Sequence, residues 1–163
     1  NKKLEKTCEE LDLLQEDKEI FIQKKQNEII ALQCSLREYR EKYDKFNLLD
    51  KEKKLMESDI VVKFIEMSTP KRNRFNPSEK DWLDLYKEFQ QYKPLISEKI
   101  RKGKLSPQEL QVCILTYLGM DNTAIAFLVN TTSKTISNAK QKINRKLFEE
   151  KSASTLFDNL LKV

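Results

Sequence analysis

The chain holds no histidine, two glycines, four prolines and three cysteines in 163 residues. Without histidine, and with Cys8, Cys34 and Cys113 sharing no metal-ligand spacing, neither a zinc site nor a disulfide framework is expected. The expected state of the sulfurs is a free thiol, buried or half-buried, in a reducing cytoplasm. The same shortages argue against an enzyme. There is no histidine base, no glycine-rich phosphate loop and no paired-carboxylate cleft, and Cys113 falls on an apolar helical stripe with no base beside it. No cofactor is implied. No apolar run approaches the ~18 residues of a membrane-crossing helix, and nothing resembles a signal peptide. One further absence is local. Between Asn122 and Phe148 there is no Asp or Glu, in a chain that is 35% charged.

What is present is the material of long helices. With so few Gly and Pro, tight turns are scarce and an all-α fold is expected. The apolar share of 39% is too low for one compact globule and too high for a disordered chain. The net charge is +5, unevenly placed: residues 1–60 carry −2, residues 61–100 carry +2 and residues 101–163 carry +5. An anionic partner for the C-terminal third is the first expectation.

Residues 1–57 contain no Gly or Pro and read as a coiled coil that mediates dimerisation. Ile22, Lys25, Ile29, Leu32, Leu36, Tyr39, Tyr43 and Phe46 recur at alternating steps of three and four, the repeat of a left-handed supercoil. The earlier phase, Leu4, Leu11 and Lys18 with Leu14 and Phe21, joins it through a four-residue slip near Phe21–Ile29, which locally unwinds the supercoil. One straight helix of this length spans roughly 80 Å at 1.5 Å per residue. A parallel homodimer is the expected partner of the seam; packing on the chain's own later helices is the alternative. Lys18 and Lys25, charged in core positions, cost stability and restrict register.

Residues 58–103 read as a helical connecting region. An amphipathic helix over 58–68 stops before Pro70, and TPKRNRFNP (69–77) is a basic loop. Ser78 to Asp81 resembles a capping box, opening a helix with Trp82, Leu85, Tyr86 and Phe89 on one face. Pro94 interrupts that helix, and Leu95, Ile96 and Ile100 continue an apolar face to Gly103.

Residues 104–163 form the third part. Ser106, Pro107 and Glu109 make a strong helix start, with an apolar stripe of Leu110, Cys113, Ile114, Tyr117 and Leu118 and a stop at Gly119. A short helix over Asn122–Val129 follows. Asn130 suits a left-handed turn, and Ser133 can cap a third helix to about Phe148. There Ile136, Ala139, Ile143 and Leu147 share one face, while Lys134, Ser137, Asn138, Gln141, Lys142 and Arg145 occupy the others. Two helices about a short turn, the second basic and polar outside, are the pattern of a helix-turn-helix.

This stretch, LSPQELQVCILTYLGMDNTAIAFLVNTTSKTISNAKQKINRKL, resembles the LuxR/GerE-type DNA-binding domain. The matching positions are Leu105, Ser106, Glu109, Gly119, Asn122, Ile125, Ala126, Leu128, Ser133, Thr135, Ile136, Ile143, Lys146 and Leu147. The wider arrangement is similar to the cytoplasmic halves of Bacteroides-type regulators, in which a TPR region and a membrane helix precede a coil and this domain. A chain that opens on Asn1, already in a helical pattern, is then expected to be the cytoplasmic part of a longer protein with a membrane or sensor segment upstream. The resemblance implies base contact by Ser137, Asn138 and Gln141, and phosphate contact by Lys134, Thr135, Lys142 and Arg145. Ser133 at the helix start offers a hydroxyl and backbone N–H groups to a further phosphate. Asn and Gln can bond adenine bidentately, while Lys and Arg on phosphates give affinity without sequence information. Departures from the family pattern fall at Ser137, Ala139 and Lys140, which bear on the target sequence more than on binding itself. The partner expected is double-stranded DNA. The runner-up readings are a promoter-reading sigma-factor region and a coiled-coil module whose helix-turn-helix binds protein.

Overall fold

The computed structural model describes residues 1–69 and 76–163, and most of the basic loop expected over 69–77 lies outside the described residues. The described residues are helical throughout, with no strand. In chain order the helices are α1 (Lys2–Glu57), α2 (Asp59–Ser68), α3 (Glu79–Tyr92), α4 (Pro94–Lys102), α5 (Pro107–Tyr117), α6 (Asn122–Val129), α7 (Ser133–Phe148) and α8 (Leu156–Leu161). No described helix is long and apolar enough to cross a membrane. Two compact units divide the chain, Asn1–Leu48 and Leu49–Val163.

The first unit is one uninterrupted helical stretch with every seam residue exposed. Ile29 is 54% exposed, Leu32 65%, Leu36 66% and Phe46 70%. Its ion pairs are local, Lys25–Glu28 at 2.9 Å and Arg37–Glu41 at 3.2 Å, and at this exposure each contributes only a few tenths of a kcal/mol. Cys8 and Cys34 are exposed here, against the expectation of buried or half-buried thiols, while Cys113 in the second unit is buried. Burial pushes the Cys113 thiol up to about 12, so it is a neutral packing group.

In the second unit, α5 is the central element, packed by α3, α6, α7 and α8. That explains a departure from the expected single stripe: every residue from Val112 to Leu118 is buried. A helix covered on all sides has no polar face to show. Its ends follow the sequence signals. Ser106 Oγ accepts from Glu109 N at 3.2 Å while the Glu109 carboxylate accepts from Ser106 N at 3.0 Å. At the other end Gly119 takes φ +81, with Met120 N bonded to Leu115 O and Gly119 N to Thr116 O. Gly103 serves a different need: its φ is ordinary, but the Leu147 side chain from α7 sits where a Cβ would be.

The connecting helices pack as the aromatic pattern suggests. Leu85 and Phe89 are buried, Trp82 meets Phe64 edge-on with centroids 4.8 Å apart, and Phe89 meets Tyr117 at 5.2 Å. The capping box at the start of α3 is present, and Lys93 separates α3 from Pro94 at the start of α4. The last turns of α1 join this core. Leu55 is fully buried, and Glu52 accepts a hydrogen bond from the Tyr117 hydroxyl at 3.1 Å beneath the Lys93 ammonium, 5.3 Å from the Tyr117 ring.

Candidate nucleic-acid interface

The acid-free interval Asn122–Phe148 begins with the first residue of α6 and ends with the last residue of α7. An acid stands at each border. Asp121 caps α6 by accepting from Ala124 N at 2.7 Å, and Glu149 turns the chain out of α7 with φ 59. Asn130 closes α6 in the left-handed conformation, with Thr131 N bonded to Ala126 O at 2.8 Å, so Thr131 and Thr132 complete a short turn. The cap of α7 is Thr132, not Ser133: its Oγ1 accepts from Thr135 N at 3.2 Å. The helix therefore starts one residue earlier than a Ser133 cap requires, and Ser133 occupies its first turn.

Packing fixes which way α7 faces. It touches α5, α6 and α8, burying Ile136, Ile143, Asn144 and Leu147, with Ala139 half-buried. Lys134, Asn138, Gln141 and Arg145, at steps of four, three and four, lie on the opposite side and are exposed, with Lys142 beside them. Lys134, Lys142 and Arg145 form no ion pair among the described residues. Ser133 is exposed on the first turn. Thr135 is half-buried with its hydroxyl 2.9 Å from that of Thr132, and Ser137 is half-buried with its Oγ accepting from Asn122 Nδ2 at 3.0 Å. The structure thus brings five of the eight candidates onto one open face, with Ser133 exposed at its N-terminal end, while Thr135 and Ser137 flank it and are tied to the turn and to α6.

The fourth cation of this helix surface, Lys146, is committed elsewhere. Its Nζ lies 2.6 Å from Glu109 Oε2, joining the end of α7 to the start of α5. Burial pushes the Glu109 carboxyl up, but the Lys146 ammonium and the Ser106 N–H outweigh it and hold the group below its ordinary range. The fifth, Lys140, turns inward. It is half-buried, and burial lowers its pKa while Asp121 partly offsets the shift.

Asn144 is the polar residue that sequence reasoning missed. It is fully buried, donates to Ser152 O at 2.6 Å and to Thr155 Oγ1 at 2.8 Å, and accepts from Asn159 Nδ2 at 3.0 Å. These bonds dock the 152–159 segment and α8 against α7, with Leu156 and Leu160 buried beneath. They set the back of the helix whose front carries the candidate face.

No family model, curated protein or solved structure matches this chain.

Proposed function

We propose that the chain is a dimeric, sequence-specific DNA-binding regulator of transcription, with α6 and α7 as a helix-turn-helix of the LuxR/GerE kind. The observation that carries this is the match between the acid-free interval and the α6–α7 pair, with three cations that form no ion pair among the described residues framing Asn138 and Gln141 on one exposed face. A merely solvated helix face mixes Glu with Lys for support at i, i+4, as α1 does at Lys53–Glu57 and Lys54–Asp50. A surface that lies against phosphates gains from having no carboxylate at all.

In this reading α7 enters the major groove. Asn138 and Gln141 read base edges, with Ser137 at their margin. Lys134, Lys142 and Arg145 hold phosphates, and the Ser133 hydroxyl and first-turn N–H groups take another, with Thr135 alongside. The exposed seam of α1 is covered by a second copy, parallel and in register. That pairing sets Glu28 against Gln33, Ser35 against Arg40 and Lys42 against Asn47 of the second copy, with no like charges facing.

The test is a fluorescence-anisotropy titration of a random duplex at several salt concentrations. Three cations per copy give six phosphate contacts per dimer, hence a slope of log K against log salt of about −5 and a loss of about 10³ between 50 and 200 mM salt. Absence of salt-dependent binding at low ionic strength refutes the reading.

A further inference from the structure

Lys140 and Lys146 are the two cations of α7 that the proposed DNA face does not use, and of these Lys146 is paired with Glu109. Lys140 points into a recess of about 230 Å³ between α7 and the 153–157 segment, lined also by Thr116, Asn122, Ser137, Ser154 and Phe157. We propose that this recess binds a small carboxylate, with its anionic head on Lys140 and Ser137 and a short apolar tail against Phe157.

Three features of the recess lead there. First, Lys140 makes no ion pair among the described residues; Asp121 acts on it only at a distance. A half-buried ammonium with no paired anion in a recess offers three donors and one positive charge to whatever enters. Second, the hydroxyls around it are not equivalent. Thr116 spends its hydrogen on Val112 O at 2.7 Å, and Ser154 shares a bond with the Ser152 hydroxyl. Ser137 accepts from Asn122 Nδ2, which fixes its oxygen and leaves its own hydrogen to donate. A cation beside a free hydroxyl donor is a head-group site for an oxyanion. Third, the lining includes the aromatic side chain of Phe157, which rewards a hydrocarbon tail and not a fully hydrated inorganic ion. The volume sets the size. It lies below the ~300–1,000 Å³ of pockets that take drug-sized ligands, which leaves room for a short acid only.

The assignment does not rest on DNA binding, and its test uses no DNA. Acetate, propionate, butyrate and inorganic phosphate are titrated into the full chain at fixed ionic strength, followed by ¹H–¹⁵N chemical shifts. Saturable shifts at residues 137, 140, 154 and 157 are expected for the acids, with affinity rising at least threefold from acetate to butyrate. Lys140→Gln should abolish them, and Ser137→Ala should weaken them several-fold while amide dispersion elsewhere is unchanged. Linear shifts without saturation, equal responses in Lys140→Gln, or phosphate binding as well as butyrate would overturn the proposal. If Lys140→Gln fails to fold, Lys140→Arg decides: a longer, forked cation should retain the head-group contact, and loss of all response without loss of fold counts against it.

Discussion

Replacing Asn144 tests whether a buried amide, and not apolar packing, holds α8 to the back of α7. The side chain is fully buried and makes three bonds between 2.6 and 3.0 Å, while a fourth contact, to Glu150 at 3.5 Å, is too long to count. At about 1 kcal/mol net for each bond, Asn144→Ala should cost about 3 kcal/mol, with a cavity term added. Asn144→Leu fills a similar volume and removes the cavity term, yet still leaves Ser152 O and the Asn159 amide without their partner. It should therefore cost at least about 2 kcal/mol. Urea unfolding followed by circular dichroism gives the total, and amide hydrogen exchange localises it. Exchange should rise first in Leu156–Leu161, because that helix has only six residues and cannot persist undocked. An Asn144→Leu variant within 0.5 kcal/mol of the parent, with α8 still protected, would show that Leu156 and Leu160 alone hold the segment and would refute the reasoning.

Asn138→Ala with Gln141→Ala should weaken binding to a selected duplex by about 2 kcal/mol or more while leaving random duplex little changed. Lys142→Ala or Arg145→Ala should instead weaken both alike and each reduce the salt slope by about one or two per dimer. Equal losses from the two sets would contradict the division of roles. Ile29→Asp should shift the chain from dimer to monomer in sedimentation, and Lys25→Ile should raise the unfolding midpoint of the coil. For pH, the hydrogen bond from Lys63 and that from the Ser78 N–H hold Asp81 down at about 2, against 3.8 ordinarily. A depressed folded value means the contribution is present above about pH 4 and is lost as pH falls toward 2. Thermal unfolding of Asp81→Asn should therefore be flatter than the parent across that window.

The features legible in the sequence were those written in adjacent residues. Ser78, Pro94, Ser106, Gly119 and Asn130 each mark a helix end through local chemistry, and each stands where that chemistry places it. The inner face of α7 was equally readable, because Ile136, Ile143 and Leu147 obey one period. What escaped depends on contacts far apart in the chain. The burial of α5 on all sides follows from which helices surround it, which no period within α5 reports. Asn144 is polar and reads as surface until α8 is placed over it, and α8 is too short for its own period to stand out. The pairing of Lys146 escaped as well, because its partner Glu109 lies on another helix. Ser133 lost the cap to its neighbour Thr132 because both carry a hydroxyl, and composition alone does not separate them.

Scarcity of glycine did not spare the chain left-handed turns; it moved them onto residues that resist them. Lys104, Asn130 and Glu149 all have φ between 51 and 59, beside a single glycine of positive φ at Gly119. Asn tolerates this region, but Lys and Glu carry roughly 1 kcal/mol or more of backbone strain there. Glycine at those two positions would relieve the strain and widen the unfolded ensemble, two effects of opposite sign and similar size. The corners entering α5 and leaving α7 are thus held in conformations their own residues disfavour, and the packing around them has to offset that cost.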